Sequence, residues 1–207
     1  MPALADRPRA AAELVAALGE IEGAGRNLVT TILAGAPFVE FAHYPPDDVR
    51  DPRSGAQYYF HAHRGPAESG HIHCFLPHAG AAGLTHVAAV GLDAEGRPAR
   101  LFATNLWVTA DAFTPAEALI PRLAELDWSA SAAFPAVGRA LTALFALCRA
   151  DVAALLRRRD LRLARHGARI APADPLADER LDILATARLD LAATLAHLRR
   201  RLGLGDA

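Results

Sequence analysis

The sequence predicts an α+β fold: an antiparallel β-meander of about four to five strands packed with an N-terminal helix and a C-terminal antiparallel helical hairpin. Three observations lead there. Leu14, Leu18, Ile21, Leu28 and Ile32 recur at helical spacing. From about 38 to 108 the chain turns to β-rich runs punctuated by Gly, Pro and Asp. Beyond about 115 helical periodicity returns. Apolar residues make up 52% of the 207 positions, enough to bury a core.

In the first zone Asp6 suits an N-cap and Pro8 a first turn, while Gly23 and Gly25 weaken the middle, so 1–36 reads as one kinked helix or two short ones. FVEFAHY, from Phe38, reads as a short strand or extended segment, and PPDDVRDPRSG (45–55) as a turn-rich loop. QYYFHAHR and HIHCFLP read as strands joined by GPAESG, and LTHVAAVGL and PARLFATNLWV as strands joined by DAEGR. TPAEALIPRLAEL is a short helix. A longer one starts near Pro135 and carries Val137, Leu141, Leu144, Cys148, Val152 and Leu155 on one face, and the loop GARIAPADP ends it. A last helix is predicted from about Leu176 to Leu202, striped by Leu181, Leu184, Leu191, Leu195 and Leu198. The two long helices pair antiparallel, burying their stripes on the sheet or in a homodimer interface. With no repeat and no linker, a single domain over 1–207 is the economical reading: helical 1–36, sheet 38–110, helical 115–203.

Composition excludes several chemistries. Lysine is absent and all 22 basic residues are arginine, a pattern that with the abundant alanine reads as a GC-rich bacterial genome. Neither a Schiff-base lysine nor a Walker A loop can be built. Cys74 and Cys148 form no CxxC, and the four serines no GxSxG. A net charge of −1 gives no sign of nucleic acid or an anionic membrane as partner. No uncharged apolar run reaches the ~18 residues of a membrane span, so the expected location is the cytoplasm.

The histidines stand out. Seven of nine lie between His43 and His86, four of them as His61/His63 and His71/His73. Residues i and i+2 of a strand share a face. If 63 sits opposite 71, and 61 opposite 73, all four rings share one face around a small rectangle. Clustered imidazoles repel once protonated, and a metal turns that liability into stabilisation. His61, His63, His71 and His73 are therefore the candidate ligands. His86, on the next predicted strand, is a fifth, and His43 can reach the cluster if its segment is adjacent. Cys74 points to the opposite face from His73. His78 reads as a loop residue, and Tyr58, Tyr59 and Trp107 as packing aromatics with a cleft wall as the second reading. Asp47, Asp48 and Asp51 read as turn formers, with covering a site as the second reading.

The spacing Gly55-x5-His61-x-His63-x4-Glu68 resembles the first metal-binding motif of the cupins, a family of small β-barrels. The resemblance implies His61, His63 and Glu68 as ligands. It covers about 14 residues. Phe75 stands where the motif has glycine, and the second motif has only His86 and Asn105 as stand-ins. As a whole the chain resembles an uncharacterised bacterial domain family of unknown function.

These observations predict a metal-dependent enzyme with a His-rich mononuclear site on a β-hairpin. Glu68 and Arg64 are its catalytic candidates, and a small molecule entering beside the 45–55 loop is its substrate. Arg100 is a further anion-binding candidate. Histidines with one carboxylate favour iron and oxidation, whereas an all-histidine set allows zinc hydrolysis. Iron is the first choice among divalent transition metals, with Zn, Cu, Ni and Mn open. A non-catalytic metal carrier, sensor or structural site is the second reading. A helical-hairpin interaction protein with incidental histidines is the third.

Overall fold

The computed structural model describes residues 6–63 and 68–202. Helix α1 (Asp6–Gly23) and short α2 (Leu28–Leu33) lead into a six-stranded antiparallel sheet ordered β1-β2-β3-β4-β5-β6. Its strands are β1 (Tyr44–Arg50), β2 (Gln57–His61), β3 (Gly70–Pro77), β4 (Leu84–Leu92), β5 (Pro98–Thr104) and β6 (Ile183–Arg188). Between β5 and β6 lie α3 (Leu106–Thr109), α4 (Ala116–Leu119), α5 (Pro135–Leu147) and α6 (Arg149–Ile170), and α7 (Leu191–Arg201) follows.

The α+β class stands, but two strands lie where the sequence predicts otherwise. β1 is YPPDDVR, inside the expected loop, whereas most of FVEFAHY is irregular. Two prolines are tolerable there because β1 is an edge strand whose ladder to β2 is interrupted between Tyr44 and Val49. Phe41, at φ 64°, turns the chain just before it. β6, ILATAR, replaces part of the predicted last helix. Its backbone completes the free edge of β5, from Arg100↔Arg188 to Thr104↔Ile183, and that pairing outweighs the leucine periodicity. Asp190 caps the shortened α7 through the Ala193 N–H. The expected hairpin of two long helices is therefore not formed. The helix from Pro135 also breaks at Cys148, and Leu191 and Leu195 pack against the chain's own core instead of forming a free stripe for a second copy.

The core occupies one face of the sheet. Tyr58, Phe60, Ile72, Cys74, Leu76, Val90 and Leu101 meet Leu14, Ala17 and Ile21 of α1, Leu141 and Leu144 of α5, and Leu155 and Leu156 of α6. Each large apolar side chain so buried contributes about 1.5–3 kcal/mol. Cys74 is buried here, as its alternation predicts. The opposite face carries Tyr59, His61, His71, His73 and Phe75, and Tyr59, Phe75 and Phe102 stand outside the main apolar cluster.

Gly138 of α5 lies against the backbone of Trp128, whose carbonyl oxygen would be 2.5 Å from an added Cβ. A backbone atom cannot swing aside, so Gly138→Ala is expected to lower the unfolding free energy by about 1–3 kcal/mol in urea titration.

Candidate metal centre

The β2–β3 register differs from the expected one by two residues. His61 pairs with His71 and Tyr59 with His73. A two-residue shift preserves the face, so the rings still converge. His63 lies beyond the end of β2, yet its ring centroid is 5.0 Å from His61 and 5.1 Å from His71. His61 and His71 are 4.4 Å apart. One ligand nitrogen from each of His61, His63 and His71 lies within 4.8 Å of the other two. Around a tetrahedral ion with bonds of about 2.1 Å such nitrogens sit about 3.4 Å apart, so modest rotations of the rings complete the grip.

Backbone details set up this convergence. Gly70 precedes His71 at φ 134°, and a Cβ there would run into the Phe60 ring, so only glycine lets β3 begin this close to β2. Gly91, opposite His71, has no side chain because Arg100 and Glu68 fill that space: an added Cβ would lie 2.7 Å from Arg100 and 3.0 Å from Glu68 Oε2.

Glu68 is the largest departure from expectation inside the site. At a hairpin tip a carboxylate reads as solvated, and the cupin resemblance implies a metal ligand. Instead Glu68 is buried, and Oε1 accepts a 2.7 Å hydrogen bond from His71 Nδ1. Arg100 donates to Oε2 from Nε at 3.1 Å and also from Nη2. Burial alone would raise the Glu68 pKa, but the bonds and charges of His71 and Arg100 outweigh it and hold the value below the usual carboxylate range. With Nδ1 donating, His71 presents Nε2 to the cluster, the carboxylate–histidine arrangement that orients metal ligands. Arg100, stacked 5.0 Å over Phe102, neutralises the buried charge. Arg64 lies outside the described residues.

His73 and His86 form a second, adjoining pair. Their ring nitrogens, Nδ1 and Nε2, are 3.0 Å apart, and His86 Nδ1 is 3.3 Å from Thr104 Oγ1. A β-bulge delivers His86. Cys74 pairs with Ala88 but Phe75 pairs with His86, so Val87 turns into the core and His86 moves to the histidine face. His73 borders the trio at 4.9–5.0 Å between centroids without joining its ligand group. Burial, reinforced by Arg159 and His71, pushes His86 down to about 3. Burial also lowers His73 well below an ordinary histidine, with the neighbouring histidines adding to it. Both rings are thus neutral.

A cleft of about 500 Å³ on the same side of the sheet is lined by His43, Asp48, Gln57, Tyr59, Phe75, Asp111 and the Ala82–Leu84 turn, and by none of the three histidines. Tyr59 links cleft to cluster, stacking on His43 at 3.7 Å and meeting His61 edge-on at 5.4 Å. Burial, and then Asp48 and Asp111, raise the Tyr59 pKa, so its hydroxyl stays protonated. Burial also raises Asp111, whose carboxylate accepts from the His86 N–H and, at 2.9 Å, from Thr109 Oγ1. Asp48 accepts from Gln57 Nε2 at 2.7 Å and meets His43 Nδ1 at 3.2 Å, at the wall of the cleft. Asp51 is indeed a turn former, capping Arg53 and Ser54. Tyr58 and Trp107 stand apart from the site: Tyr58 packs edge-on against Trp128, and Trp107 Nε1 donates to Leu181 O. His78 pairs with Thr85.

A family model described as a domain of unknown function, DUF6969, matches residues 8–189 and so takes in the whole sheet and every residue of the centre. The chain belongs to DUF6969. No curated protein and no solved structure matches it. The match agrees with the expectation of an uncharacterised domain family, whereas the cupin resemblance stays local. β1 and β6 are the two edges of a sheet and do not pair with each other, unlike the strands of a closed barrel. No helix among the described residues is long and apolar enough to cross a membrane.

The buried neutral pair makes stability pH-dependent. His86 is neutral in the folded DUF6969 chain down to about pH 3 but titrates near 6.5 when unfolded, so the unfolded state binds more protons between those values. The contribution is complete above about pH 6.5 and is lost progressively below it, by up to about 1.4 kcal/mol per pH unit. Urea titrations of metal-free protein at pH 7.5 and 5.0 should show a clear fall, and His86→Gln should shrink that fall.

Proposed function

We propose that this DUF6969 chain is a mononuclear metalloenzyme in which His61, His63 and His71 hold a divalent cation of the zinc class and the ion activates water against a small molecule in the cleft on the same side of the sheet. The convergence of three ligand nitrogens within 4.8 Å supports the reading. Chemistry narrows it. With both carboxylate oxygens of Glu68 engaged by His71 and Arg100, the first sphere is all imidazole, which suits zinc and water activation better than the mixed histidine–carboxylate set favouring iron. Three protein ligands leave a fourth position for water or substrate.

The residues then take distinct roles. Glu68 positions His71 and raises its basicity as a ligand, and Arg100 keeps Glu68 ionised. The Tyr59 hydroxyl, held protonated, donates to a substrate oxygen. Asp111 is the carboxylate of the cleft wall that can accept a proton. Phe41, stacked on His63 at 4.9 Å and exposed, forms the outer rim. His73 and His86 wall the inner side as a neutral pair.

A metal carrier is the second reading, favoured by the partial exposure of His61 and His63, which gives an ion a way out. Cobalt substitution separates the two. In an enzyme with an open position, the visible spectrum of the cobalt protein shifts on adding azide, whereas a closed storage site leaves it unchanged. Glu68→Gln should weaken zinc binding about 10–100-fold in competition with a chromophoric chelator. Full affinity in that variant would remove the positioning role of Glu68.

A further inference from the structure

Helix α6 carries a row of positive charge. Arg158, Arg162, Arg165 and Arg169 stand at i, i+4, i+7 and i+11, so they share one face over about 16 Å of helix. All four are exposed. They line a groove of about 530 Å³ against Leu161, Leu181 and Leu184, and a second hollow of about 240 Å³ continues it along β6.

Several acids nearby are engaged elsewhere. Arg157 pairs with Glu117 and Arg159 with Asp160, off the row. Asp178 is held by Arg180 and by His166, which itself lines the groove. Arg158 reaches across to Thr186 O at 3.2 Å. Among the described residues, Arg162, Arg165 and Arg169 have neither an ion pair nor a side-chain hydrogen bond. Like charges at i, i+4 destabilise a helix, so the row is a standing cost that an anion would relieve. The bias is regional: ten arginines face fifteen acids up to Cys148, against twelve and eight after it.

We propose that the α6–β6 groove is a binding site for a small polyanion with two or more phosphoryl groups. Guanidinium forks suit phosphate oxygens, and successive helical turns offer successive forks. The groove has the volume of a small-ligand site, and its leucine floor accommodates an apolar portion. A compact anion is favoured over nucleic acid because a long polyanion would run from the row onto the acid-rich remainder of the chain.

Inorganic tripolyphosphate is the probe, titrated by calorimetry into chelator-stripped full-length protein, so that phosphate cannot report through a metal at the histidines. The proposal expects saturable one-site binding, weakened at least tenfold in Arg162→Gln/Arg165→Gln. It also expects unchanged binding in Arg97→Gln/Arg157→Gln, which removes two acid-paired arginines elsewhere. Absence of saturable binding overturns it, and so does equal loss in both double variants, which marks diffuse attraction. A single-stranded oligonucleotide that binds but is not displaced by tripolyphosphate overturns it in favour of a nucleic-acid surface.

Discussion

The pairing of His61 with His71 across β2 and β3 is the constraint on which the site rests. Strand alternation puts His73 on the same face, and the Glu68 bond then fixes which nitrogen His71 presents. A slip of one residue would send the β2 histidine into the apolar layer under α1 and α5. The register is locked from the other side, where Tyr58, Phe60, Ile72 and Cys74 are fully buried, so packing on the core face holds the chemistry on the opposite one. Gly70 and Gly91 make the local room: the first lets β3 start against Phe60, and the second leaves space for the Glu68–Arg100 pair.

The sheet divides the molecule's labour. One face is apolar and covered by helices, the usual source of stability in an α+β fold. The other holds ring against ring, with six histidines, Tyr59, Phe75 and Phe102 in mutual contact. Buried histidines are costly when charged, and keeping His73 and His86 neutral gives the trio a wall without added positive charge. Glu68, a buried carboxylate in that layer, is compensated by Arg100. A cation at the trio would therefore meet imidazole nitrogens backed by a screened negative charge.

Much of this was legible in the sequence. The ranges of β3 and β4 follow from alternation and their bounding turns, whereas the strand predicted over PARLFATNLWV stops at Thr104 and LWVT forms α3. The i, i+2 spacing puts the histidines of each pair on one face, and the register, two residues from the assumed one, brings the pairs together. What escaped depends on distant parts of the chain. β1 and β6 form because the sheet offers free edges, not because YPPDDVR or ILATAR has a strong preference of its own. The spacing from His61 and His63 singles out Glu68, but nothing near it in sequence announces Arg100, its partner 32 residues on. The bulge at Val87 turns on one extra residue in β4 and carries no compositional mark, yet it decides which way His86 points.

The most direct test of the central claim is X-ray absorption of the zinc-loaded protein, compared with His63→Ala. Three imidazole nitrogens at about 2.0–2.1 Å with one light oxygen neighbour, and loss of one imidazole in the variant, is the result expected. A first sphere holding a carboxylate or thiolate in place of an imidazole, or a spectrum unchanged by His63→Ala, would contradict it.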